Sequence, residues 1–393
     1  MIGGRYQNYS RRARGIARAM DLGLAPFAPI LRLVAPRRQG SDPERPRSIL
    51  VVRLDHLGDV LMSTPAIAAL RHAHPAARID VLAAAWGRAA VESSPHVDRV
   101  REGIAPWYEP GHGGVPAADR LLRISAGLRG GGGYDWAFDF RGDPRVILFY
   151  LLPAARRRFG FSRLGLERFL TDALPYDRRR SMLDLCLDLV GTAGVAPVGR
   201  RPVYRVDEAS AHRARALLES RGVRGAYAVI APGANRAAAR WSAEGFAAVG
   251  DALHAAGLGV VLAGRVEDAP VTRRVAETMT CEKADLTGQT TLPDLAAILA
   301  TASVLVSNDS GSAHLAAAVD CPTVAVFGPT DPALTFPYED GRRFLSVSKP
   351  IDHPRPCFHA DCGSDHSFSR VSPEEVASLA LRVLGGARAG ARP

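Results

Sequence analysis

Lysine is almost missing from this chain: among 50 lysine and arginine residues only Lys283 and Lys349 are lysines. The formal surplus of +10 is therefore carried by guanidinium groups, which pair bidentately with phosphate and carboxylate, although genome composition alone also biases arginine over lysine. Cysteine is scarce as well. Five scattered thiols, an odd number, argue against a disulfide framework and for a reducing compartment. Only Cys357 and Cys362 lie close together, with His359 and His366 interleaved, a spacing that suits either a metal site or a surface loop of free thiols. No apolar run approaches the ~20 residues that cross a bilayer. The nearest candidate, Met20 to Ala35, is broken by Pro26, Pro29, Asp21 and Arg32, and no clean signal-peptide pattern replaces it. Zinc-finger spacing, a helix-turn-helix pattern and an aromatic RNA-binding signature are all lacking. The anionic partner implied by the charge is then a phosphorylated lipid surface rather than nucleic acid. No D-x-D motif stands in a suitable loop, so no metal and no other cofactor is expected.

What is present describes a soluble α/β protein of two domains: 393 residues exceed one ordinary core, and 47% are hydrophobic. Residues 1–45 form a basic extension, either amphipathic on an anionic membrane or packed or flexible beside the body. Residues 46–205 and 206–372 each alternate strands with helices, the pattern of parallel doubly wound sheets. A hinge is expected between about Gly191 and Gly225, with a strand at Val203–Val206, and residues 373–393 should form a helix crossing back, then a tail. Arg156 to Arg158, Arg163, Arg168 and Arg178 to Arg180 read as a solvated basic face or as contacts to an anionic acceptor.

Three segments carry chemistry. In residues 303–332 a strand runs into Asn308-Asp309-Ser310-Gly311-Ser312 and a small-residue helix near His314, an arrangement that offers backbone N–H groups to a phosphate or simply caps a helix. In residues 48–83 the strand Ile49 to Arg53 enters Asp55-His56-Leu57-Gly58-Asp59 and a helix from Val60 to His72. Asp59 is there either a helix cap or a catalytic carboxylate. The third runs from Ile230 through Gly233 and Ala234 to the Arg240-Trp241 pair, Glu244 and Phe246.

Taken together the segments resemble glycosyltransferase family 9, the heptosyltransferases of the lipopolysaccharide inner core. The first signature, R-x-D-x-x-G-D-V-x-x-x-x-P, stands as Arg53, Asp55, Gly58, Asp59, Val60 and Pro65. The second stands as Asp309, Ser310, Gly311 and His314, followed by Pro322, Thr323, Phe327, Gly328 and Thr330. The resemblance covers roughly residues 48–385. It implies a GT-B fold, two facing Rossmann-like domains with the active site in the cleft between them, and an inverting, metal-independent transfer. On that basis Asp59 is the base, and Arg53, Asp55, His56, Gly58 and Arg141 contact the acceptor. A nucleotide-diphosphate sugar, ADP-heptose first, is implied at Gly233, Ala234, Asn235, Arg236, Arg240, Glu267, Asp309, Ser310, Gly311, Ser312 and His314. The acceptor that the resemblance implies is an anionic glycolipid. The implied location is the cytoplasm, with peripheral contact to the inner face of its membrane left open. One departure stands out: the family's Lys-x-Trp reads Ala239-Arg240-Trp241 here, so Arg236 or Arg240 must replace the lysine charge or the donor site is weakened. A degenerate nucleotide-sugar binding protein and a transferase using another nucleotide sugar therefore remain open beside the leading reading.

Overall fold

The computed structural model describes residues 44–106, 117–163, 165–353, 355–357 and 367–390, together with Gly23 and Pro26. The expected basic extension, apart from its last residues, and the Cys362, His359 and His366 part of the thiol loop lie outside the described residues. The chain separates at Arg200 and Arg201 into two compact units.

The first unit holds six parallel strands: β1 (Ser48–Arg53), β2 (Arg78–Ala83), β3 (Arg99–Glu102), β4 (Tyr134–Asp139), β5 (Ala155–Ser162) and β6 (Asp172–Pro175). Their order is β3-β2-β1-β4-β5-β6. β1 is buried at every residue, as a central parallel strand covered on both faces must be. The Leu57–Ala73 helix follows it and contains Pro65, whose missing N–H deprives the Leu61 carbonyl of its helical partner. Thr64 Oγ1 donates to that carbonyl at 2.7 Å, so the helix continues through the proline. Behind it packs the apolar Met182–Gly191 helix. Ser181 caps that second helix, its Oγ accepting from Asp184 N at 3.1 Å. Ser181→Ala should therefore cost about 1 kcal/mol of stability. A urea melt checks this, and an unchanged midpoint would show that the cap contributes nothing.

The second unit repeats the winding with β7 (Tyr227–Ala231), β8 (Gly259–Leu262), β9 (Ala284–Asp285), β10 (Val304–Asn308), β11 (Thr323–Phe327) and β12 (Phe344–Ser348), in the order β12-β11-β10-β7-β8-β9. Its core unites β7, β8, β10 and β11 with Phe246, Val249 and Leu253 of the Ala243–Ala255 helix. In each sheet the connections diverge between two neighbouring strands, β1 and β4 in the first and β7 and β10 in the second. At such a switch point the carboxyl ends of the strands open a crevice, which is where ligands bind in open α/β sheets.

Several expectations are corrected. Val203–Val206 forms no strand; Tyr204 is buried and its N–H donates to Ala318 O at 3.2 Å. The last helix spans Pro373–Gly390, and its Val376, Ala380 and Val383 lie in the core of the second unit. The run Arg156 to Arg158 opens strand β5 and is not simply a solvated face. Arg157 pairs with Asp172 at 2.9 Å and lies over the Phe159 ring, while buried Arg158 donates to the carbonyls of Phe169 and Ala155. Strands β3, β5, β6 and β12 have no counterpart among the expected elements.

Candidate active site

At the switch point of the first sheet, Arg53 ends β1 and Asp139 ends β4. The Arg53 guanidinium is 1% exposed; Nη1 donates to Phe140 O, Nε lies 3.2 Å from Asp55 Oδ2, and Nη2 faces Asp59 Oδ1 at 3.9 Å. Arg141 pairs with the other oxygen of Asp55. Asp59 is the third residue of the Leu57–Ala73 helix, buried in its first turn, with His56 at the cap position; it is not the cap that a helix start suggests. Gly58 is the residue before it in the same turn. The loop is held from one side by Trp86, whose indole N–H donates to Asp55 O at 2.8 Å. Gly87 makes that approach possible, since a Cβ there would meet Val60 at 2.8 Å and Asp55 O at 3.1 Å. His56 lies beside Trp86, with ring centroids 5.9 Å apart and the planes tilted by 31°.

Two further carboxylates lie at the end of β4 and in the turn after it. Asp139 accepts from the backbone N–H groups of Arg141, Gly142 and Asp143 at 2.9 to 3.1 Å. Complete burial nevertheless pushes its carboxyl up to about 7 against those hydrogen bonds, with neighbouring Asp143 adding to the rise. Asp143 is bound by Arg145 at 2.7 and 2.8 Å. Thus Arg53, Asp55, Asp59 and Arg141 meet in one buried cluster, and of the five acceptor residues expected only His56 and Gly58 are not buried.

The switch point of the second sheet is tied by Asn308, a residue with no role in the sequence reading. Its Nδ2 donates to Pro232 O at 2.7 Å and its Oδ1 accepts from Trp241 N at 2.9 Å, so one fully buried amide joins the ends of β7 and β10 to the turn before the Ala243–Ala255 helix. Gly233 lies against Asp268, where a Cβ would come within 2.5 Å of the carboxyl carbon. Asp268 is buried and accepts from Arg265 N at 3.1 Å, which makes it a cap for its own turn, whereas the neighbouring Glu267 side chain is 72% exposed. Ala239 is buried; Arg240 Nε donates back to Ala234 O at 3.0 Å, and its Nη2 stands 3.8 Å from Asp268. Arg236 Nη1 donates to Cys357 O at 3.0 Å, and the Asp309 carboxylate is near enough to act on its charge. Asn235 is exposed and Ala234 buried at the tip of that turn.

Asp309 follows β10. Its Oδ2 accepts from Thr330 Oγ1 at 2.5 Å and from Thr335 Oγ1 at 3.4 Å, which gives the signature threonine of the Gly-Pro-Thr turn a function: it orients Asp309. Ser310 caps the Gly311–Ala318 helix without a side-chain cap bond, and its Oγ lies 2.9 Å from Ser312 Oγ. The N–H groups of Gly311 and Ser312 open the helix and have no intrahelical acceptor, a position that favours a phosphate. His314 Nδ1 is hydrogen-bonded to Tyr338 Oη, and complete burial pushes the imidazole down to about 4. It is therefore neutral at neutral pH and can orient a ligand by a hydrogen bond but not by charge. Thr335, Tyr338, Asn308 and the Cys357 carbonyl were not legible in the motifs, because each acts through a partner distant in sequence. Among the described residues no three His, Cys, Asp or Glu side chains are grouped to hold a metal ion, and no helix is long and apolar enough to cross a membrane.

The profile of glycosyltransferase family 9 (heptosyltransferase) matches residues 130–367. The chain belongs to this family. The transferase is 27% identical over 326 residues to lipooligosaccharide heptosyltransferase 2 of Haemophilus influenzae, covering 75% of this chain and 86% of the relative. Among solved structures it is similar to a family 9 glycosyltransferase from Veillonella parvula, with a TM-score of 0.73, 23% identity, and 86% and 97% of the two chains covered. It is also similar to the Escherichia coli ADP-heptose LPS heptosyltransferase II, with a TM-score of 0.69, 23% identity, and 87% and 99% covered. These likenesses show the fold: the transferase is an α/β protein of the GT-B class, with two Rossmann-like units.

Proposed function

We propose that the transferase moves a heptose from ADP-heptose to a lipopolysaccharide-core or related cell-envelope acceptor, with inversion and without a metal. The observation that carries this reading is the placement of both signature motifs at the two sheet switch points. The names of the H. influenzae and E. coli relatives support the donor and the acceptor class. Inversion by a single displacement needs one base for the acceptor hydroxyl, and Asp59 takes that role. His56, Gly58 and Arg141 border the acceptor, an anionic glycolipid presented at a membrane surface. On the donor side the diphosphate lies over the helix start at Ser310, Gly311 and Ser312. Asp309 and His314 orient sugar or diphosphate, the Gly233, Ala234 and Asn235 turn flanks it, and exposed Glu267 reaches the ribose hydroxyls. As the leaving diphosphate gains charge, the helix N–H groups and an arginine stabilise it.

A second reading, a catalytically degenerate nucleotide-sugar binding protein, is favoured by Ala239 in the place of the family lysine. Thermal-shift measurements with a panel of nucleotide sugars test the proposal. ADP-heptose at saturating concentration is expected to raise the melting temperature by several degrees, and UDP- or GDP-sugars to leave it unchanged. Stabilisation by a different nucleotide alone would overturn the donor assignment.

A further inference from the structure

The buried cluster beside Asp59 carries one inference beyond the assignment of a base. Arg53 is 1% exposed and is held by Phe140 O and Asp55, so it has no surface with which to touch an acceptor. Its Nε and Nη2 are both buried without a hydrogen bond, and Nη2 faces Asp59 at 3.9 Å, an ion-pair distance too long for direct proton sharing. Asp55 is the reason for that distance. One of its oxygens lies 3.2 Å from Arg53 Nε and the other pairs with Arg141, while Trp86 holds its carbonyl, so Asp55 competes with Asp59 for the Arg53 charge.

We propose that Arg53 and Asp55 act as positioning residues that set the basicity of Asp59: the guanidinium keeps it ionised, and the Asp55 carboxylate holds that guanidinium back. A base in a full hydrogen-bonded ion pair would bind a proton too weakly to take one from a hydroxyl. Left alone in a buried place, it would be protonated already. The intermediate distance avoids both. The other groups that bear on this cluster are His56 in the same loop, Asp139 at the end of β4, Arg141 and Asp143 after it, Arg163 after β5, and Cys186 on the Met182–Gly191 helix. Cys186 is a neutral thiol, pushed up to about 12 by burial, and Arg145 balances Asp143. Arg53 and Asp55 are thus the unlike pair whose removal acts on Asp59 in opposite directions.

The catalytic meaning of this inference rests on Asp59 being the base, so the test reads the carboxyl directly as well as turnover. Carbon-13 carboxyl NMR of aspartate-labelled protein, with the Asp59 signal assigned by its loss in Asp59→Asn, follows the titration in Arg53→Gln, Arg53→Lys and Asp55→Asn. Removing the cation raises the pH at which Asp59 ionises, so Arg53→Gln should move its midpoint up by about 1 to 3 pH units, with Arg53→Lys restoring part of the shift. Removing the anion works in the reverse sense, and Asp55→Asn should move the midpoint down. The acid limb of kcat/KM should follow each shift, with the plateau kcat of Asp55→Asn several-fold lower. Where Arg53→Gln fails to fold, the two milder variants decide. A midpoint unchanged in both overturns the inference. Midpoints that move while the rate profile stays fixed uphold the inference about the carboxyl and remove Asp59 from the base role.

Discussion

Asp59→Asn is expected to lower kcat by about 100-fold or more while leaving the dissociation constant of the nucleotide sugar nearly unchanged. The substitution keeps the size of the side chain and removes its negative charge together with its capacity to accept a proton. Asp59 lies in the first turn of a helix whose cap position is His56, and asparagine fills the same space there, so the helix should persist. A melting temperature within a few degrees of the parent, measured beside single-turnover kinetics, separates lost chemistry from lost fold. Near-normal turnover in a folded Asp59→Asn protein would reduce Asp59 to an anion near a helix start.

The second large effect concerns the charge that the family lysine supplies and Ala239 cannot. Of the two arginines within reach, Arg240 is turned back onto Ala234 O and toward buried Asp268, which offsets its charge. Arg236 is anchored by one nitrogen to Cys357 O and stands in the field of Asp309, beside the helix start assigned to the diphosphate. Arg236→Met should therefore weaken binding of a nucleotide-diphosphate sugar by about 1.5 to 3 kcal/mol, as for a hydrogen bond to a charged group. Arg240→Met should cost less than half of that, and Ala239→Lys should add little, because the Cβ at 239 is buried. Calorimetric titration of the three variants decides. If both arginine variants bind like the parent and Ala239→Lys raises transferase activity, the donor site is degenerate at this position and the replacement of lysine by Arg236 is wrong.

How far the sequence can be read depends on where a residue finds its partner. β1, β7 and β11 were legible as apolar runs ending in a turn, because a parallel strand buried on both faces must be apolar throughout. The two signature loops were placed correctly at strand ends for the same reason, and with them the α/β class and the family. β3 and β6 carry too little apolar pattern to be seen, since strands at or near a sheet edge are specified mainly by backbone pairing with a neighbour, as Asp80 to Ala83 pair with Arg99 to Glu102. β5 was hidden by its arginines, which are satisfied by Asp172, aromatic rings and backbone carbonyls once folded.

In the site the division is sharper. The residue types at 53, 55, 59 and 309 to 314 are written in the chain, but what each one does depends on groups elsewhere. Arg53 becomes a buried support only because Phe140 O and Asp55 close on it. His314 is a neutral ring only because Tyr338 and the surrounding core desolvate it. Asn308 joins β10 to Pro232 and Trp241, 76 and 67 residues away. Local pattern settles strands, turns and motif identity because those depend on neighbours along the chain. Charge state, exposure and pairing depend on neighbours in space, and these the tertiary structure alone supplies.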